Sequence, residues 1–552
     1  VTDLDPADWC SSTDISDTLL IAPPGCGKTE LLAKRAASLV RTGALPKGRR
    51  ILAVTFTNKA RDNLAQRLTL HVGPQFKSWI SVMNFHGLGL HLYDKHRYVL
   101  EDPIREQLPE DRALRSIERS VFECFDVPRT AQNDVRMAIR TAKAGARTDR
   151  EVMNQLEASG LAAAIAYERV LREDSRLDHD DMLRVGLLII REPAVAALYA
   201  ERFACVLVDE AQDLTRVQYD LLEPIGQSCT VFAGDRAQGI YTFAGADPEW
   251  VFERIRDRNP DVVKLHKSYR SSPEVLAAVS AVAVALGGTD LTSAVPESWG
   301  NRGQVTIASF PTPQEEANWL VDVIRGWTDA SMQEHPPRPV SVGVLTRMKP
   351  GGRRDLLLQT LQASAIDVET WDFPLHRPEV VQLLNKHVDS VVATVLEPTD
   401  QVQELYLRCF EEVAPENAST QIDLRDAADE LLDLIGEDKA LDELIHRIRI
   451  SSDLAEPVGH GVHLLTGHSG KGQGFDKVIV LGFEEGQIPS FFVKGFPDED
   501  PKVQEELALL HVMASRAKEE LVLTICERVR GYTQQPSRWL RIIEPHAVVV
   551  AP

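Results

Sequence analysis

Cysteine is scarce in this sequence and scattered. The seven cysteines stand at 10, 26, 124, 205, 229, 409 and 526, and no two form a CxxC pair. That excludes zinc fingers and a stapled secreted framework, and it fits a reducing cytoplasm. Long apolar runs are missing too. None approaches the roughly 20 residues that span a bilayer, so no membrane partner is expected. The opening "VTDLDPADWCSSTD" lacks the basic start and apolar middle of a signal or transit peptide. Positive charge is in deficit, with 61 Lys and Arg against 82 Asp and Glu, a formal net charge of −21. Taken alone, this argues against non-specific nucleic-acid binding. The deficit is uneven, however. Residues 371–460 hold 20 acids and 7 bases, whereas 131–150 hold five bases and two acids. At 552 residues the chain has room for roughly three or four domains or subdomains.

The strongest local signal is "LLIAPPGCGKTELL" (19–32), an apolar strand, a glycine-bearing loop, Lys-Thr and a helical pattern. This is the order of a P-loop, with Ala22 at the usual first glycine. Gly25 and Gly27 let backbone N–H groups turn toward phosphates. Lys28 offers a point charge to the β- and γ-phosphates, and the Thr29 hydroxyl can ligate Mg²⁺. The start of the following helix adds a favourable dipole. The second half is "ACVLVDEAQDL" (204–214), which reads as a strand buried on both faces with two carboxylates at its C-terminal end. Asp209 is suited to the Mg²⁺ shell and Glu210 to activating water. A P-loop by itself does not say what the released energy is used for.

The remaining blocks narrow the function. They are "ILAVTFTNKARDNLAQRL" (51–68), "MNFHGLG" (83–89), "FAGDRAQGIYTFAGAD" (232–247), "LHKSYRSSPEVL" (265–276), "LLTGHSGKGQGFDKVIVLGFEEGQIP" (464–489) and "HVMASRAKEELVLT" (511–524). In this order and spacing the chain, from 19 to 524, resembles the UvrD/Rep/PcrA family of superfamily 1A DNA helicases. The resemblance implies an α/β fold with two RecA-like parallel-sheet P-loop motor domains, each with a mainly helical insertion. It implies ATP with Mg²⁺ in the cleft between the motors and single-stranded DNA across them. ATP would be held by Pro24, Gly25, Cys26, Gly27, Lys28, Thr29 and Glu30, with Tyr269 stacking on adenine. Thr29 and Asp209 would hold the metal. Gln238 would sense the γ-phosphate, and Arg270 and Arg516 would stabilise the transferring phosphoryl. A motor that walks on any sequence uses π-faces and backbone contacts. The family positions are Phe56, Tyr241 and Phe243 for stacking, and Thr55, Asn58, His86 and His468 for polar contacts. For His86 and Phe243 a place in the core is the competing reading.

Four departures from the family pattern stand out. No glutamine precedes Gln66, so the usual adenine-reading glutamine is missing, with Trp9 or backbone as substitutes. Gly474 stands where a glutamate usually meets the ribose. Ala244 replaces an arginine that follows the aromatic pair. His511 and Ser515 replace the common Tyr and Thr near Arg516. The hydrolytic set is complete, so ATPase activity is expected, and unwinding strength is the less certain half.

The expected organisation is a first motor at 1–90 and 196–272 with a helical insertion at 91–195, and a second motor at 273–370 and 458–552. A short acidic helical insertion occupies 371–457. The basic stretch 136–150 is either a phosphate-contacting face or a solvated one. "LDHDDML" (177–183) resembles the segment that re-enters the first motor. The 28 residues after "LVLT" are too few for a nuclease domain, and their apolar end suggests a strand or docking segment. The leading function is an ATP-dependent helicase or translocase moving 3′ to 5′ on single-stranded DNA, acting at single-strand/duplex junctions in repair or replication. The alternative is an ATP-gated DNA-sensing subunit of a nuclease-containing anti-phage complex, as in Gabija systems. The acidic insertion reads as regulatory or partner-binding, open to a nuclease or repair protein, with a plain structural cap as the equal alternative. A small-molecule kinase would leave Gln238, Arg270 and Arg516 unexplained.

Overall fold

The computed structural model describes residues 3–56, 58–242, 245–334, 336–347, 352–371, 378–394, 396–412, 424, 427–428, 431, 441 and 458–551; at some helical positions, Asn58 among them, the side chain is outside that description. The chain forms two compact units. One comprises residues 1–22, 28–234 and 241–265, the other 23–27, 235–240 and 266–552.

The first unit is built on a seven-stranded parallel sheet. Its strands are β1 (Asp3–Leu4), β2 (Thr18–Ile21), β3 (Arg50–Thr55), β4 (Ile80–Asn84), β5 (Phe203–Val208), β6 (Thr230–Gly234) and β7 (Asp261–Lys264). Their order is β1-β7-β2-β6-β5-β3-β4. The central strands are unbroken apolar runs because helices cover both faces. Val206, Val208, Leu52, Val54 and Phe232 share a core with Phe85, Leu88 and Leu92 of helix Phe85–His96 and with Leu187 and Ile190 of helix His179–Ile190. Parallel order sends β2, β5 and β6 out of the sheet at the same end, where ligands of open α/β sheets bind.

Helices Asp111–Cys124, Arg129–Lys143, Asp149–Ser159 and Ala162–Glu173 pack around Val135, Ile139, Val152, Leu156 and Leu171. Part of the basic stretch is consumed inside this bundle. Lys143 is buried on Asp178, Asp181 and Glu168 at 2.6–2.8 Å. Arg136 forks onto Glu118, and Arg147 donates to the Thr141 and Ala142 carbonyls. Arg136, Arg140 and Arg150 remain exposed. "LDHDDML" is a helix start, in which Asp178 and Asp181 form a reciprocal capping box.

The second unit carries another seven-stranded parallel sheet. Its order is Val368–Thr370, Gly461–Thr466, Ser341–Thr346, Phe475–Leu481, Ala517–Cys526, Gln304–Phe310 and Val548–Val550. Alternate residues serve opposite faces. Val478 and Val480 pack with Val279, Leu507 and Leu510, whereas Ile479 and Leu481 pack with Leu320, Ile324 and Leu357. The apolar tail becomes an edge strand, pairing Val548–Val550 with Thr306–Ala308. Of the acidic segment, helices Pro378–Val392 and Pro398–Glu412 are described, and they share a small core of Leu384, Val388, Val402, Leu405 and Cys409. The rest of that segment lies largely outside the described residues. Among the described residues no helix is long and apolar enough to cross a membrane.

Candidate nucleotide site and nucleic-acid interface

β2 ends in Pro23–Gly27, and helix Lys28–Arg41 starts at the lysine. Gly25 and Gly27 take φ of +78° and +81°, which a side chain resists. Gly25 is also sterically required, since a Cβ there would come within 2.5 Å of Arg270 Cβ and Ser268 Oγ. The loop is tied to that segment, with Tyr269 N–H donating to Gly25 O (3.0 Å) and Ser268 Oγ to Pro24 O (3.2 Å). Cys26 is buried, and burial pushes its thiol up to about 12, so it stays protonated and inert.

In the first unit Lys28 Nζ lies 2.5 Å from Glu210 Oε2 and 3.3 Å from Asp209 Oδ1. Burial alone would lower the lysine pKa, but the two carboxylates outweigh it and raise it. Burial raises Asp209, and Lys28 opposes that. Thr29 Oγ1 donates to Asp209 Oδ2 at 3.1 Å. Glu210 occupies the left-handed region at φ 57°, and its Oε2 also takes Gln212 Nε2 at 2.6 Å. A short turn thus swings the second carboxylate back toward the lysine. Thr29 and Asp209 fit Mg²⁺, which takes one or two protein oxygens and completes its shell with waters and phosphates. The described residues hold no group of three or more His, Cys, Asp or Glu able to hold a metal ion. Glu30, next along the helix, pairs with Arg67 and His71 at 2.7 Å each.

The second unit gathers Gln238, Tyr269, Arg270 and Arg516. Gln238 Nε2 donates to Asp235 Oδ2 at 2.9 Å, and its carbonyl accepts from Lys471 Nζ. Tyr269 is 63% exposed, leaving its ring face open to a base. Arg270 is half-buried and reaches Ser515 O at 3.5 Å. Arg516 is buried, not a solvated helix charge. It donates to Val512 O (2.8 Å), Gln473 O (3.0 Å) and Ser515 Oγ (2.7 Å). His511 is also buried and is pushed down by burial against Asp235, which keeps it neutral. Gly474 is not imposed by backbone, because a Cβ would meet Lys518 Cε at an ordinary 3.5 Å.

Of the strand-contact candidates, Phe56 and Tyr241 come together, their rings parallel to within 2° with centroids 6.3 Å apart. Both are half-buried and present flat faces. His86 is half-buried beside His179, ring to ring at 6.3 Å, and burial followed by His179 pushes its pKa down. His468 is half-buried and is pushed down to about 4 by burial and then by Arg347, so its ring is neutral near pH 7. Two expectations need correction. Thr55 is fully buried at the end of β3, paired with Asn84, and has no surface for a strand. Trp9 is likewise buried. Its Nε1 donates to Thr18 Oγ1 and Arg35 covers its ring, so it is a core residue and no adenine reader. Phe243 and Ala244, and the side chain of Asn58, lie outside the described residues. His179 and the Glu30 partners Arg67 and His71 were missed by sequence reasoning. For Glu30 a local signal existed, since Arg67 and His71 are four apart on one helix face.

Comparison with known proteins agrees with this geometry. Residues 10–258 match the UvrD/REP helicase N-terminal domain, and residues 390–528 match the UvrD-like helicase C-terminal domain. The chain is 28% identical over 577 residues to the ATP-dependent DNA helicase UvrD2 of Mycobacterium tuberculosis, covering 95% of this chain and 79% of that protein. It is 30% identical over 294 residues to UvrD1 of the same organism, covering 48% and 37%. It is 27% identical over 329 residues to the PcrA helicase of Leuconostoc citreum, covering 56% and 42%. Two parallel-sheet units, a phosphate-loop lysine against paired carboxylates and matches to both helicase domains lead to one conclusion: the chain belongs to the UvrD/Rep/PcrA-like superfamily 1 helicases, ATP-hydrolysing enzymes that act on DNA.

Proposed function

We propose that this chain is a single-stranded-DNA-dependent ATPase that translocates 3′ to 5′ and separates duplex at junctions, in DNA repair or replication within the cytoplasm. The observation that carries the reading is Lys28 at a helix start, closed onto Asp209 and Glu210 with Thr29 on Asp209. In this state the lysine and Glu210 neutralise each other. A nucleotide polyphosphate competes for Lys28 and frees Glu210 to orient the attacking water and accept its proton. Thr29 and Asp209 would hold Mg²⁺, which supplies charge neutralisation on the phosphates. Arg270 and Arg516 supply guanidinium charge to the transferring phosphoryl, and Gln238 reports its presence. Tyr269 supplies a face for adenine. The parallel pair Phe56 and Tyr241 supports base stacking without sequence readout.

The test is the ATPase rate with no nucleic acid, single-stranded DNA, duplex DNA and RNA, at low and moderate salt, followed by unwinding of duplexes with 3′ or 5′ tails. Strong stimulation by single-stranded DNA and unwinding from the 3′ tail are expected. Basal turnover without stimulation would overturn the translocase reading and turn attention to a partner docked on the acidic segment. Unwinding from the 5′ tail would overturn the polarity.

A further inference from the structure

We propose that Cys205 and Cys229 are a dithiol that closes to an intramolecular disulfide on exposure to a hydroperoxide, stapling β5 to the start of β6. Val206 pairs with Thr230 across these parallel strands, so Cys205 and Cys229 stand side by side one residue earlier. Neighbouring strands run about 4.8 Å apart, inside the range of Cα separations a disulfide spans. The thiols meet, with Sγ–Sγ at 3.3 Å. Cys229 Sγ donates to Ser16 O at 3.1 Å and Cys205 Sγ to Val206 O at 3.8 Å, and either thiol can donate across the gap between them. Cys229, which follows exposed Ser228 in the chain, is assigned as the attacking sulfur.

A cation accompanies the pair. Arg35 is buried with Nη1 and Nη2 on the Ser12 and Asp14 carbonyls, and its Nε has no hydrogen-bond partner. Burial lowers its pKa, and Cys205 and Cys229 are the leading influences against that. Its guanidinium opposes, without overturning, the Cys229 hydrogen bond and the burial that raise the Cys205 thiol well above its ordinary range. The pair is buried, but the preceding Gln227 and Ser228 are exposed, so a small oxidant meets it just beneath the surface. In the reaction the Cys229 sulfur attacks the peroxide oxygen and releases an alcohol, giving the sulfenic acid. The Cys205 sulfur then displaces water and the S–S bond forms. Two thiols lose two protons and two electrons, and cleavage of the O–O bond takes them up as the alcohol and water. Cys205 lies four residues before Asp209, about 13 Å along the strand, so closure leaves the nucleotide carboxylates in place.

The experiment treats the full chain with cumene hydroperoxide and maps its thiols without reduction. Exposed Cys124 serves as the internal measure of oxidation. A Cys205–Cys229 linked peptide is expected, with the thermal midpoint raised by about 5–10 °C and restored by dithiothreitol. ATPase should stay within about twofold, since the site lies at the other end of β5. Cys229→Ala should lose both linkage and shift. Oxidised Cys124 with Cys205 and Cys229 still reduced would overturn the site. Linkage without a raised midpoint, or with collapsed ATPase, would overturn the staple. Comparing oxidised and reduced wild-type protein decides the matter even if the variant fails to fold.

Discussion

Lys28 and Lys143 are both lysines of the first unit, each packed against two or more carboxylates. Around Lys143 the cluster is closed. Asp149, Glu168, Asp178 and Asp181 face Arg105, Lys143 and Arg184, with Arg172 on Glu168. Asp181 bonds all three central cations and is held below the usual carboxylate range, its lowering by Lys143, Arg184 and Arg105 outweighing burial. Burial pushes Asp178 up to about 7 against Lys143. Helices Arg129–Lys143, Asp149–Ser159, Ala162–Glu173 and His179–Ile190 each contribute, so the cluster fixes the bundle to the sheet's helices. Around Lys28 the cluster is open. It follows a loop turned by two positive-φ glycines, and the Glu210 side chain is one-third exposed. The same residue types therefore serve two ends. Where each charge has several fixed partners the cluster is architecture, and where one cation shares two carboxylates beside a helix start it is a site waiting for an anion.

Four measurements sharpen or break this contrast. The largest effect is expected from Lys143→Met, which leaves Asp178 without its cation. Denaturant unfolding should show a loss of about 3–5 kcal/mol, with the ATPase rate per folded molecule unchanged. A loss of turnover with stability intact would make the bundle cluster functional and end the contrast. Lys28→Ala should do the reverse. Turnover falls by about 10²–10³-fold or more and the unfolding midpoint barely moves; retained turnover would remove Lys28 from the site.

Smaller effects test the strand path. Phe56→Ala should weaken single-stranded-DNA-stimulated hydrolysis by about 1–3 kcal/mol and spare basal hydrolysis. An equal loss of both would make the Phe56–Tyr241 pair a packing feature. The smallest concerns His468, whose folded-state pKa lies near 4, below its ordinary 6.5. A depressed histidine contributes stability present above pH 6.5 and lost as pH falls toward 4, because the unfolded chain takes the proton first. Unfolding should therefore become easier by about 1–3 kcal/mol across that window, and His468→Gln should flatten it. An unchanged pH profile in the variant would mean the ring is solvated.

Much of this was legible in the sequence. "LLIAPPGCGKT" encodes a strand, a glycine turn and a helix start within a dozen residues. "ACVLVDE" encodes a buried strand with carboxylates at its end, and the order of the blocks indicated two parallel-sheet units. Other residues read differently in three dimensions. Lys143 stands in a stretch that reads equally as phosphate-contacting or solvated, and it is core. Thr55 and Trp9 looked available and are buried. "LDHDDML" carried a capping-box signal that only the bundle made meaningful.

The sequence by itself determined what short-range physics encodes: which segments are strands or helices, where glycine must bend the chain, and which side chains leave the strand ends. The tertiary structure decided which distant residues became neighbours. The strand order that sets β6 beside β5 brings Cys229 to Cys205. Phe56 and Tyr241, Lys28 and Glu210, and Lys143 and Asp178 are likewise far apart in the chain. Their pairing depends on how whole helices and sheets bury their apolar faces, a collective free energy that no local pattern records.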